Sequence, residues 1–315
     1  TSPWMTARKA ALKALQKVIG PAAYQARAGS YTGGLNGVHW VRILGTRPDG
    51  LLIIQNLWDV GKRKMRRVEK PLEPSLVYPL LRGRDVFRWT ATPSDHIIVS
   101  QDPKTRMAYE ESWMKVELPL TYAYFKEFEE ELWTRQSQSV RDLMEKSAFY
   151  AMYAVADYTF ALYKVVWREV SSGIDAAVIS THQSNYLEDK VIVPDHTLIL
   201  IPCESADEAH FVCAALNSAP SRLVVQAYVA LHPSPHVLQH IAVPRFDAGH
   251  PVHARLGALS RQAHALAAGQ PPAGSEPAGG SLAAVEAQVD AAAAELWGIT
   301  DKELQEIRRS LAEFG

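Results

Sequence analysis

The run Gly269-Gln-Pro-Pro-Ala-Gly-Ser-Glu-Pro-Ala-Gly-Gly280 is the strongest constraint on what this chain can fold into. Its prolines lack the donors that a helix or sheet ladder needs, and its glycines and small residues have little to bury, so the composition is that of a flexible linker. The sequence therefore divides into a body, residues 1–268, and a C-terminal helical appendage, residues 281–315. In the appendage an Ala-rich stretch over 282–297 and the capping box Thr300-Asp-Lys-Glu303 predict a helical hairpin. Val285, Val289, Leu296 and Ile299 would form a face that seeks a partner.

In the body, Thr6 reads as the N-cap of a helix running to about Ile19 and ended by Gly20-Pro21. A Gly-rich loop (29–37) leads into strands over 38–44 and 51–57, joined by the turn Pro48-Asp49-Gly50. Further strands are expected at 97–100, 163–167, 177–180, 191–193 and 198–201. An amphipathic helix is expected over 122–135, and Ser205-Ala-Asp-Glu208 opens another to about Ser218. Ser234-Pro235 starts a short helix, and Val243-Pro-Arg-Phe246 closes the compact part. The pattern predicts a mixed α/β (α+β) fold with small mixed sheets, packed helices and the C-terminal hairpin.

Charge narrows the function. Residues 1–110 carry 18 Lys and Arg against 8 Asp and Glu, whereas the rest of the chain is acidic, and the whole sums to −1. A basic half beside an acidic one predicts one polyanion-facing surface, for which nucleic acid is the natural partner. The basic residues alternate with strand and loop signals, which argues against a lipid-binding helix. Two cysteines, Cys203 and Cys213, make no disulfide framework, and no signal peptide or membrane-length apolar run is present, so a cytoplasmic location without membrane partners is expected. The opening Thr1 suggests a processed chain or a fragment.

Within the basic half, Tyr78-Pro-Leu-Leu-Arg-Gly-Arg-Asp-Val-Phe-Arg-Trp89 sets three guanidinium forks around one glycine. Such forks suit phosphates and guanine edges. Arg82, Arg84 and Arg88 are accordingly the candidates for base-edge or close backbone contacts. Lys62, Arg63, Lys64, Arg66 and Arg67 are the candidates for neutralising phosphates, and Thr32 and Asn36 for hydrogen bonds from a Gly-rich loop lying on the DNA backbone. Arg27, Trp89, Lys164 and Arg168 complete the DNA-binding set, and Tyr31 adjoins it. Dinucleotide, Walker and nucleophile-elbow motifs do not occur, nor does the Asn/Asp-Pro-Pro-aromatic motif of a base-modifying methyltransferase. His232, His236 and His240 fall at spacings of four, followed by His250 and His253, but Pro233 and Pro235 interrupt any helical zinc face. Asp157, Lys164 and Glu169 are too poorly ordered for a convincing metal-dependent nuclease centre.

Five segments occur in a telling order: Ala26–Trp40 (Ala-Arg-Ala-Gly-Ser-Tyr-Thr-Gly-Gly-Leu-Asn-Gly-Val-His-Trp), Tyr78–Asp85, Tyr163–Arg168, Ala214–Pro220, and the tail Val289-Asp290…Glu295-Leu-Trp-Gly-Ile-Thr300…Glu303. Together they resemble the C-terminal target-recognition region of adenine-specific DNA methyltransferases of restriction-modification and phage-defence systems, type IIG-like and akin to type I specificity subunits. The resemblance covers nearly the whole chain. It implies that residues 1–268 bind duplex DNA, read a short sequence and present the target adenine. It also implies that catalysis and S-adenosylmethionine binding belong to a methyltransferase domain or subunit absent from this chain. The alternative from another class is an interaction or scaffold subunit of a defence complex, and a third, ranked after it, is a metal-dependent nuclease.

Overall fold

The protein is described by a computed structural model covering residues 7–61, 63–227, 234–269 and 281–314. Thr6, Lys62, His232 and linker residues 270–280 lie outside the described residues. Helix α1 (Lys9–Leu15) precedes β1 (Arg27–Ala28), the short α2 (Asn36–His39), β2 (Trp40–Thr46) and β3 (Leu52–Asn56). β2 and β3 form the expected hairpin, turned by Gly50 at φ 82° and bulged between Ile43 and Gly45. Next come β4 (Glu69–Leu72), β5 (Val77–Leu81), β6 (Val86–Phe87), β7 (Thr90–Ala91) and β8 (Asp95–Ile98). The acidic amphipathic stretch is two helices, α4 (Pro119–Lys126) and α5 (Glu129–Trp133), flanked by α3 (Glu111–Glu117) and α6 (Gln138–Lys146).

The second half begins with β9 (Tyr163–Arg168), β10 (Ala177–Ile179), β11 (Thr181–His182), β12 (Lys190–Val191), β13 (Val193–Pro194) and β14 (Leu198–Cys203). Helices α7 (Ala206–Asn217), α8 (Ala219–Ala227), α9 (Pro251–Ala267), α10 (Leu282–Leu296) and α11 (Asp301–Ala312) follow. Both predicted capping boxes start helices: the Ser205 hydroxyl accepts from the Glu208 amide at 3.1 Å, and Thr300 and Glu303 cap each other reciprocally.

The two principal sheets exchange strands. A six-stranded sheet runs β13-β5-β8-β2-β3-β4 and a four-stranded one runs β1-β14-β9-β10. β1, from the N-terminal part, pairs antiparallel with β14 (Arg27 opposite Leu200), while β13, from the C-terminal part, pairs parallel with β5 (Val193 opposite Leu80). Helices α3–α6 cover the larger sheet over a core that includes Phe125, Phe128 and Tyr150. The smaller sheet lies against α1 and α7–α11.

The tail helices find their partners inside the chain, which corrects the expectation of an unpartnered face. Val285, Val289 and Ile299 are buried in one core with Leu15, Phe211 and Leu256, and Leu296 packs on its rim. α10 packs on α9, and α11 on α8 and α1. Charge helps to dock it: Arg8 pairs with Glu306 and Glu313, and Lys17 with Glu303 at 2.7 Å. Part of the sequence's charge asymmetry is thus cancelled in space.

Candidate nucleic-acid interface

The Arg-Gly-Arg segment ends β5 and turns through a single 3₁₀ turn, Gly83–Asp85, so its arginines point different ways. Arg82 is buried, stacked over Trp40 at 5.3 Å, and its Nη2 donates to Asp95 Oδ2 at 2.6 Å and to Ser94 Oγ at 3.2 Å. Arg84 extends into solvent, held from beneath by Asp95 at 3.5 Å and Asp85 at 3.6 Å. Arg42, on β2, reaches the other oxygen of Asp95 at 3.4 Å. The geometry places the charges by depth: the Asp95 side chain is 2% exposed, the Arg42 and Arg84 side chains 59% and 64%. The carboxylate is inside and the cations are outside. Burial pushes Asp95 and Asp85 above the usual carboxylate range, and nearby arginines pull each back.

From Arg42 a polar row crosses the outer face of the six-stranded sheet. Arg42 sits opposite Gln55, and Gln55 opposite Glu69. Gln55 Nε2 donates to Glu69 Oε1 at 2.6 Å, and Arg67 Nη2 to the same oxygen at 2.7 Å. Directly paired residues share a face, so Asp95, Arg42, Gln55 and Glu69 span roughly 15 Å over four strands about 4.8 Å apart.

Two clefts adjoin this row. One, of about 500 Å³, is lined by Arg84, Arg168, His196 and Thr197 among others. Arg168 stacks over the exposed Phe87 ring at 4.9 Å and donates through Nε and Nη2 to the Val86 carbonyl at 2.8 and 2.5 Å. The other, of about 390 Å³, lies between Arg42 and the β11–β12 loop, whose Gln183, Ser184, Asn185 and Tyr186 face it. Sequence reasoning missed both Arg42 and this loop. The run Gln-Ser-Asn between two short strands was a usable signal, because amide side chains pair with base edges.

The remaining expectations fare unequally. Arg63, Lys64, Arg66 and Arg67 are exposed, yet each has a partner within the fold. Arg63 meets the Thr134 hydroxyl and Lys64 the Asp59 carbonyl, while Arg66 pairs with Glu127 at 3.1 Å and Arg67 with Glu69. Of these four, only Arg66 is offset by a carboxylate of the acidic helical stretch, Glu127. Arg88 is half-buried, paired with Glu286 at 2.7 Å and donating to the Asn217 carbonyl at 2.8 Å. Trp89 is buried, and its indole N–H donates to Glu286 at 2.8 Å. Lys164 is buried with its ammonium on the Ala161 carbonyl at 2.5 Å, and burial pulls its pKa down to about 7. Interior position removes Arg82, Trp89 and Lys164 from the set that a duplex could touch.

The Gly-rich loop is likewise turned inward. A Cβ at Gly29 would lie 2.1 Å from the Asp195 carbonyl oxygen, and one at Gly33 would lie 2.6 Å from the Arg135 side chain. That arginine is buried and donates to the carbonyls of Thr32, Phe149, Ala151 and Leu132. Thr32 is buried too, donating to Asn36 Oδ1 at 2.5 Å. At Gly29 and Gly33 the missing side chain serves close approach of chain to chain, whereas Gly34 is exposed with open space around it. Arg27 remains exposed on the edge strand β1, over the Tyr158 ring at 5.6 Å. Among the described residues no group of three or more His, Cys, Asp or Glu could hold a metal ion. Nor is any described helix long and apolar enough to cross a membrane.

The fold matches part of a restriction-modification enzyme. All of this chain aligns, at a TM-score of 0.54 and 10% identity, with 37% of the chain of MmeI, a type IIL enzyme solved in complex with DNA. The chain thus spans well under half the length of that enzyme, and the likeness is one of fold. No family model matches the sequence, and no curated protein does.

Proposed function

We propose that this chain binds double-stranded DNA and reads a short sequence, as a target-recognition region that presents adenine to a methyltransferase domain or subunit outside these residues. The observation that carries the reading is the trio Arg42, Arg84 and Arg168 on one face, with Asp95 buried beneath two of them. Guanidiniums fixed from below keep their outer N–H groups free for phosphates or guanine edges, with little ordering left to do on binding. The fold likeness to a portion of an enzyme solved on DNA supports the same reading. In this proposal S-adenosylmethionine chemistry belongs to the partner. Base contacts come from Arg84, Arg42 and the amides of Gln183 and Asn185; Arg168, Arg67, Arg63 and Lys64 serve as backbone contacts.

The test is fluorescence anisotropy with random and selected duplexes across a salt series. Alanine at Arg42 or Arg84 should weaken binding, and the slope of log affinity against log salt should fall by about 0.9 for every phosphate the variant no longer neutralises. For whichever arginine reads a base, the selected site should lose roughly 1–3 kcal/mol while random DNA loses much less. Absence of duplex binding by the intact chain, or full binding by the variant lacking all three arginines, overturns the reading and favours an interaction subunit.

A further inference from the structure

A cleft of about 480 Å³, within the roughly 300–1,000 Å³ range of small-molecule sites, opens beside β1 and shares no lining residue with the two clefts above. Arg27, Arg106, Tyr153 and Tyr158 line it. Its two arginines are exposed, and neither has a carboxylate partner among the described ion pairs, unlike Arg42, Arg66, Arg67, Arg84 and Arg88. Burial raises the Tyr158 phenol, and the charges of Arg27 and Arg106 pull it back, so both cations act on one hydroxyl. Tyr153 is 46% exposed, and its backbone is fixed by paired hydrogen bonds to Tyr31 at 2.9 Å.

The walls are held under backbone strain. Only three described non-glycine residues have left-handed φ, and two of them line this cleft: Arg106 at 58° and Ala154 at 57°. Buried Gln101 ties the walls together, its Nε2 donating to the Arg106 carbonyl at 2.5 Å and its Oε1 accepting from the Met152 amide at 3.0 Å. Strain of this kind collects at binding sites because the surrounding structure must hold it. Guanidiniums without a carboxylate partner, beside the exposed Tyr153 and half-buried Tyr158 rings, match a ligand with an anionic end and a flat aromatic end.

We propose that this cleft binds a nucleotide, its phosphate between Arg27 and Arg106 and its base against the tyrosine rings. The nucleotide comes either free from solution or extruded from a DNA strand, and the site does not depend on the duplex-reading surface proposed above. Calorimetry with the four deoxynucleoside monophosphates and with inorganic phosphate, using the full chain, tests the first source. The second is tested with a duplex carrying 2-aminopurine at a mismatch, whose fluorescence rises when the base leaves the stack.

At least one source should give a signal, with phosphate alone at least tenfold weaker than a monophosphate if the free source applies. Arg27→Gln and Arg106→Gly should each lower that signal tenfold or more. Arg106→Gly relieves the left-handed strain, so its melting temperature should hold or rise, which separates impaired binding from impaired folding. Random-duplex affinity through the Arg42 and Arg84 surface should persist in the Arg106→Gly variant. No signal from either source overturns the proposal, as do phosphate binding as tight as nucleotide binding and variants that bind like the parent.

Discussion

Arg82 and Arg84 stand two residues apart and serve opposite purposes, because a single turn sends one inward to Asp95 and the other outward above it. Replacing Arg82 with Ala leaves Asp95 and Asp85 buried beside a cavity, and should lower the unfolding free energy in urea by about 3–5 kcal/mol. Arg84→Ala should cost about 0.5 kcal/mol or less; equal losses would show that the depth ordering of this cluster is wrong. Sequence reasoning set Arg82, Arg84 and Arg88 in one group, whereas the structure brings the first two to Asp95 and Arg88 to Glu286, since direction depends on where β5 ends. Lys164 carries a pH signature. Its folded pKa, about 7, lies below the ordinary lysine value of about 10.4, so between those values the unfolded chain holds more protons than the folded one. Stability from this group therefore rises with pH across that window. Lys164→Met should raise stability at pH 7 and flatten the slope of urea midpoints measured at pH 7, 8 and 9; an unchanged slope would show that the ammonium is solvated.

At the scale of elements, α10 acts as a brace. Its Glu286 accepts from the Trp89 indole and pairs with Arg88, and its Asp290 accepts from the Ala219 amide at 2.7 Å and pairs with Arg308 at 3.0 Å. A chain ending at residue 268 loses these partners and uncovers the apolar faces of α8 and α9. It should melt without a cooperative transition and bind a hydrophobic dye, and a sharp thermal transition near that of the full chain would refute this. The tail helices were legible because caps are local. Their docking was not, since their main partner, α9, went unread. The signals for α9 were present: Pro251 at the first helical position and Val252, Leu256, Leu259, Ala263 and Leu266 at spacings of three and four. β1 and β13 are two residues each, too short to leave a periodicity, and they exist only because a neighbouring strand lines up their donors and acceptors.

At the scale of the molecule, the mixed α/β class followed from the alternation of short apolar runs with capped helices, and the structure has that class. The charge imbalance was real but incomplete as a surface map, because acids of the later half pair with Arg8, Lys17, Arg66, Lys70 and Arg88. Long-range pairing decides such cancellation, and composition cannot foresee it. The exchange of β1 and β13 between the two sheets has a consequence for inheritance. Recombination within this fold has no clean crossover point: a gene segment ending anywhere between residues 29 and 192 separates an edge strand from the sheet it completes. New recognition surfaces on this scaffold can therefore spread by point changes on the exposed sheet face and in the 183–186 loop, whereas exchange of halves demands that both donors share the Gly29–Asp195 crossing.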